Sequence, residues 1–312
     1  MSIHQKLFSE IKSPAKDLFY IRNDPDDKRM GEFVQWNEEY YDNSDIIIIG
    51  CPQDIGVRRN KGRPGTANGP VEIRRSLYRF PVPENLRDKL VVDIGDINTD
   101  MNLEEIHQIL MDTALKILKD GKQLIVLGGG NDISYPDCKA LSEISDDMLV
   151  FNIDSHFDVR EDERTHSGTP YRQLLEEEFI HPPKFYELAN KKIANSPAHD
   201  EYLRRKGVNI YNLSELRKNG ISKTIEGILS GEKADSIFWG FDMDSVRAVD
   251  APGVSAPYPV GLTAEEICEI AVIAGNDNRS RVLEISELNP RFDVDSRTSK
   301  LAAMIILYFM NG

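Results

Sequence analysis

The stretch "MLVFNIDSHFDVR", residues 148–160, decides how the rest of the chain is read. Its first six residues are apolar along most of their length, which suits a strand buried on both faces of a parallel sheet. The run then gives way to Asp154-Ser155-His156-Phe157-Asp158. Residues i, i+2 and i+4 of extended backbone point to one side, so Asp154, His156 and Asp158 converge as the strand ends. In open parallel sheets, functional groups collect at that carboxyl edge.

Working outward, the same kind of apolar run predicts strands at 45–51 (DIIIIGC), 89–94, 123–127, 208–213, 236–241 and 281–285. Helical stretches separate them. Asn102 and Glu105 form a capping box before a helix over 103–120, with an apolar stripe at Leu103, Ile106, Leu110 and Ile117 and Gly121 as its stop. Thr263 and Glu266 repeat the device before Ile267, Ile270, Ala271 and Ala274, with Gly275 ending that helix. Residues 299–310 read as a final buried helix. This alternation implies an α/β fold with one doubly wound sheet spanning 45–312, preceded by an irregular extension over 1–44.

Three more strand ends carry unusual residues: Gly128-Gly129-Gly130-Asn131-Asp132, Asp242-Met243-Asp244 and Glu287-Leu288-Asn289-Pro290. Singly, each has an ordinary explanation. An Asp-x-Asp is commonly a solvated turn, a lone His packs, and a glycine run turns the chain. The run lacks the Lys-Ser/Thr of a phosphate loop and the spacing of a dinucleotide site. Their conjunction at one sheet edge outweighs these readings. Carboxylates converging without cations repel and raise one another's pKa, and divalent metals relieve this. Oxygen donors with one imidazole suit Mn²⁺, and two ions roughly 3.5–4 Å apart lower the pKa of a shared water.

The bulk composition agrees. A net charge of −14 without a long basic tract argues against nucleic acid as partner. Cys51, Cys138 and Cys268 have no paired spacing and read as reduced, buried thiols. No signal core and no run of ~18 apolar residues is present, so no membrane partner and a cytoplasmic location are expected.

The segments "NKGRPGTANGPVEIRRSL" (60–77), "GGGND" (128–132), "NIDSHFDVR" (152–160), "SGTP" (167–170), "FDMD" (241–244) and "SELNP" (286–290) together resemble the ureohydrolase family of arginases, agmatinases and formimidoylglutamases. The resemblance implies a three-layer αβα arginase-like fold with a mostly parallel central sheet, and a binuclear Mn²⁺ centre. It implies that Asp154 and Asp242 bridge the ions, that His156 and Asp244 complete one, and that Asp158 and residue 131 complete the other. The family's usual ligand there is His, and this chain has Asn131. An amide oxygen binds hard cations, but neutrally, which predicts a weaker ion at that site. Capping the helix that starts near Asp132 is an equal alternative for Asn131.

Ser167 stands where guanidine hydrolases place a proton-shuttling His, which resembles formimidoylglutamases. His166, beside it, points the other way in extended backbone. Arg160 falls where the family holds the substrate's carboxylate end, and a bidentate guanidinium suits that task. A surface ion pair is its plain alternative, and Arg63 and Arg172 are further candidates. The resemblance thus implies hydrolysis of N-formimidoyl-L-glutamate to L-glutamate and formamide, a step of histidine breakdown, by metal-activated hydroxide. Asp158 would relay the proton and Glu287 would stabilise the amidinium. A guanidino-substrate amidinohydrolase and a metal-deficient pseudoenzyme remain the alternatives. Relatives form trimers or hexamers, so a homo-oligomer is expected.

Overall fold

Ile46 and Ile48 pack into one apolar cluster while Ile47 and Ile49 pack into another, and all four are buried. The same division runs through the neighbouring strands: Leu149 and Phe151 join the first cluster, Val150 the second. A sheet whose strands alternate between two cores must have helices on both faces. The computed structural model describes residues 10–312. Its strands are β1 (Ile11–Lys12), β2 (Ile46–Gly50), β3 (Val91–Ile97), β4 (Gln123–Leu127), β5 (Met148–Ile153), β6 (Phe185–Asn190), β7 (Asn209–Asn212), β8 (Ser236–Asp242) and β9 (Ser280–Ser286). They form one sheet in the order β1-β3-β2-β4-β9-β8-β5-β6-β7. Every pairing is parallel except that of β1 with β3.

Helices Gly69–Leu77, Leu213–Asn219, Ile221–Gly231, Ala264–Asn276 and Arg297–Asn311 bury side chains in the first core. Helices Leu103–Lys119, Ser134–Ser142, Pro170–Glu176 and Pro197–Lys206 do so in the second. The result is the three-layer α/β arrangement expected. All three cysteines are buried and free, and among the described residues no helix is long and apolar enough to cross a membrane.

Three local expectations need correction. Strand β6 was not foreseen, because its sequence FYELAN carries Glu187 and Asn190 and follows two prolines. Glu187 is nevertheless fully buried, accepting a 3.0 Å hydrogen bond from Asn152 Nδ2. Residues 11–12 of the expected irregular extension form β1 against Ile97 and Asp96. Gly275 does not stop its helix, which runs to Asn276. A Cβ on Gly275 would lie 2.2 Å from the Phe309 carbonyl oxygen, so this glycine serves a close helix–helix approach. Gly121, by contrast, does follow its helix in the left-handed region, at φ 80°.

The sheet order sets up the site. β4, β9, β8 and β5 are consecutive neighbours, so their carboxyl ends bring Asn131, Glu287, Asp242–Asp244 and Asp154–Asp158 to one edge.

Candidate metal centre and substrate cavity

Strands β5 and β8 end in the same way. The Asp154 carboxylate accepts the His156 backbone N–H at 2.7 Å, and the Asp242 carboxylate accepts the Asp244 N–H at 2.7 Å. These short-range bonds turn each chain so that residues i and i+2 stay on one side. Asp158 and Glu287 both lie in the left-handed backbone region, at φ 46° and 61°, as their chains bend away from the sheet. The Glu287 N–H donates to the Gly129 carbonyl at 2.9 Å, and its Oε1 accepts the Asn131 N–H at 3.1 Å. The glycine run permits this packing, since a Cβ on Gly129 would sit 1.7 Å from the Gln53 carbonyl oxygen.

Asp154, His156 and Asp244 offer ligand atoms within 4.8 Å of one another, and so do Asp154, Asp158 and Asp242. Asp154 belongs to both groups, so two ions would share it. His156 Nδ1 lies 3.1 Å from Asp244 Oδ2 and 3.6 Å from Asp154 Oδ1. Asp244 Oδ1 is buried without a hydrogen-bond partner, a cost that a cation would remove. Asn131 turns its amide Nδ2 to the cluster, 2.7 Å from Asp158 Oδ2 and 3.4 Å from Asp154 Oδ2. Its Oδ1 faces away and accepts from the Ser134 and Ser286 hydroxyls at 3.0 and 2.9 Å.

The crowding is visible electrostatically. Burial and the neighbouring Asp244 push the Asp154 carboxyl up to about 6. Burial, with the other carboxylates adding to it, drives Asp158 and Asp242 well above the carboxylate range. Burial opposes a charge on His156, yet Asp244 and Asp154 hold its imidazole protonated far above the usual value. Asp244 stays below the ordinary value because His156 outweighs its burial. A hard, oxygen-rich donor set of this kind fits divalent ions such as Mn²⁺.

Above this cluster opens a cavity of ≈ 350 Å³, with Asp158, Asp242, Asp244, Glu287 and His156 in its lining. Arg160, Ser167 and Arg63 also line it. Ser167 Oγ accepts from Asn60 Nδ2 at 3.1 Å. Arg63 is tied to the backbone carbonyls of Ser255 and Val254 and stacks on Phe292 with its guanidinium carbon 3.7 Å from the ring centre. Arg172 is not brought to the cavity: it pairs with Glu161 at 2.9 Å and lies over the Tyr202 ring at 4.2 Å. His166 is absent from the lining too, its Nδ1 accepting the Gly168 N–H at 3.0 Å.

The model of the arginase family matches residues 44–311. The chain belongs to the arginase family. Its relatives within that family include a formimidoylglutamase of Staphylococcus haemolyticus, 31% identical over 88% of each chain. Among solved structures, the formiminoglutamase of Trypanosoma cruzi with Mn²⁺₂ is 36% identical and superposes with a TM-score of 0.84, covering 91% of this chain and 97% of that one. The formimidoylglutamase of Bacillus subtilis is 30% identical with a TM-score of 0.86, over 94% of each.

Within this arginase-family cavity the sequence left several residues unremarked: Asn60, Lys61, Asn195, His199 and Ser255. Asn60 and Lys61 sit inside a segment quoted for its resemblance. Asn195 and His199 follow the unforeseen strand β6, so nothing in the sequence marked them as lying at a strand's carboxyl end.

Proposed function

We propose that this arginase-family chain hydrolyses N-formimidoyl-L-glutamate to L-glutamate and formamide. The observation that carries the reading is the make-up of the cavity, whose lining sets the unpaired guanidinium of Arg160 in one space with the carboxylates of the cluster. A formimidoyl group is an amidine, cationic at neutral pH, and it is joined here to a dicarboxylate. The relatives named formimidoylglutamase or formiminoglutamase, and Ser167 where a guanidine hydrolase would carry His, support the same choice.

Asp154 and Asp242 would hold both of two Mn²⁺ ions, His156 and Asp244 one of them, and Asp158 with the neutral amide of Asn131 the weaker other. When bound, the ions supply charge neutralisation and acidify a water at neutral pH. The protein's own groups do the rest. Arg160 grips a substrate carboxylate, and Ser167, held by Asn60, positions the substrate chain. Glu287, anchored by the Asn131 N–H, accepts hydrogen bonds from the amidinium and so fixes the carbon to be attacked. Asp158 takes the proton released as water adds and passes it to the departing nitrogen of glutamate. The C–N bond breaks with its electron pair leaving on that nitrogen. Arg172 has no part in this scheme, since its charge is already paired outside the cavity.

The reading carries a catalytic domain over 45–312, a cytoplasmic location and a homo-oligomer, trimeric or hexameric. Steady-state assays on formimidoylglutamate, arginine and agmatine, each with and without Mn²⁺, test it. Formamide and glutamate should appear from the first substrate alone and only with metal. Urea from either guanidino compound at a higher kcat/KM would reverse the assignment, and no turnover after reconstitution with excess Mn²⁺ would make the protein a pseudoenzyme.

A further inference from the structure

The metal-side cavity adjoins a second, outer one of ≈ 340 Å³, and the two share Asn60, Lys61, Arg160 and His199. Those four residues therefore line both cavities at their boundary, here called the neck. Its charged groups are unequally committed. Arg59, in the outer lining, pairs with Glu104 at 2.6 Å. Glu161 is taken by Arg172, and Asp162 lies 3.7 Å from His166 Nε2. Arg63 spends its donors on backbone carbonyls. Asn60 is engaged with Ser167.

Among the described residues, the side chains of Lys61, Arg160 and His199 have no hydrogen-bond or ion-pair partner. Cations left unpaired beside paired ones are the groups available to a ligand. Burial, and then the guanidinium charges of Arg160 and Arg172, keep the His199 imidazole below its ordinary value. Near neutral pH it therefore offers one ring N–H as a neutral donor. No uncommitted carboxylate joins these groups in the neck.

We infer that the neck holds a second anion subsite, in which Lys61 and the His199 ring N–H bind the carboxylate that Arg160 does not. The inference rests on the formimidoylglutamate reading and deepens it: the cavity selects dicarboxylates. A substrate ending in an ammonium, such as agmatine, would meet two like charges at the neck, and one ending in a neutral amide would leave a cation unpaired. Lys61 and His199 are then specificity-determining residues, with no role in bond breaking.

The test compares three substrates on the Mn²⁺-loaded full chain: N-formimidoyl-L-glutamate, N-formimidoyl-L-glutamine, which lacks the γ-carboxylate, and 4-(formimidoylamino)butyrate, which lacks the α-carboxylate. Wild type, Lys61→Met, His199→Gln and Arg160→Ala are assayed on each. Lys61→Met should raise KM for the dicarboxylate roughly 5- to 10-fold, a charge-assisted contact discounted for exposure. Its kcat should stay within about twofold, as loss of uniform binding requires. One monocarboxylate should be indifferent to Lys61→Met and the other indifferent to Arg160→Ala, because each variant removes a partner that its substrate already lacks. His199→Gln should follow the Lys61 pattern more weakly. Formamide release with Lys61→Met changing KM for all three substrates equally, or for none, overturns the subsite while leaving the reaction intact. Formamide release from no substrate overturns the reaction itself, and the subsite with it.

Discussion

Asn131 holds its amide between two serine hydroxyls on one side and two carboxylates on the other. A hydroxyl can donate to Oδ1 or accept from Nδ2, so a half-turn of the amide keeps both serine contacts and delivers Oδ1 to the cluster. That turn is what loading the proposed weaker ion would require. The carboxylates near it were legible in the sequence, because Asp154 and Asp158, at i and i+4, and Asp242 and Asp244, at i and i+2, stand at the ends of strands. The direction of the amide was not, since it depends on Ser134 and Ser286, brought in from a helix and from β9. Nor was the displacement of Arg172, which follows from its packing on Tyr202. Asn131→His replaces a neutral oxygen with a better donor and removes the need for rotation. It should lower the Mn²⁺ concentration for half-maximal activity by about tenfold. Metal content after dialysis should rise alongside. Unchanged metal content and unchanged activity at limiting Mn²⁺ would remove Asn131 from the proposed ligand set.

At the scale of elements, sequence signals worked where one local mechanism set the boundary. The helix Leu103–Lys119 starts where Asn102 Oδ1 accepts the Glu105 N–H at 3.0 Å and the Glu105 carboxylate accepts the Asn102 N–H at 3.2 Å. The helix Ala264–Asn276 opens on the same reciprocal pair from Thr263 and Glu266. Strand β6 escaped because its polar residues face a buried polar band, a tertiary fact that no periodicity reports. Gly275 misled because a glycine needed for helix contact reads like a glycine needed for a stop. The capping box also has a consequence for the cavity, since Glu104 in the first turn pairs with Arg59 in the outer wall. Asn102→Ala should cost about 1 kcal/mol of stability. Urea unfolding would register it as a lower midpoint at unchanged slope. A midpoint equal to wild type would mean that solvent caps this helix equally well.

Across the whole molecule, the sheet carries a polar row beneath the metal centre. Glu284 on β9 is in register with Gly240 on β8, Gly240 with Asn152 on β5, and Asn152 with Glu187 on β6. All are buried, and Gly240 leaves room for the Tyr171 hydroxyl, which would lie 2.6 Å from a Cβ there. Ser134 links the row upward, its hydroxyl lying 3.1 Å from Glu284 Oε1 and 3.0 Å from Asn131 Oδ1. Asp137 lies on the overlying helix, and burial, with the charge of Asp137 adding to it, raises Glu284 well above the carboxylate range; Asp137 Oδ2 and Glu284 Oε2 are both buried without a hydrogen-bond partner. A carboxyl raised on folding binds its proton more tightly in the folded chain than in the unfolded one. Its stabilising contribution is complete in acid, below an unfolded value of about 4, and falls away as pH rises through the folded value. Glu284→Gln keeps the shape of the protonated acid, and an amide oxygen for Ser134, without a group that can ionise. The variant should therefore gain on wild type as pH rises. With saturating Mn²⁺ in both samples, the difference in Tm, variant minus wild type, should be more positive at pH 8 than at pH 5. A shift of about 2 °C would correspond to roughly 1 kcal/mol. A difference independent of pH would mean that Glu284 is equally ionised in the folded and unfolded chains across that range, and the polar row would then contribute no pH dependence to the fold.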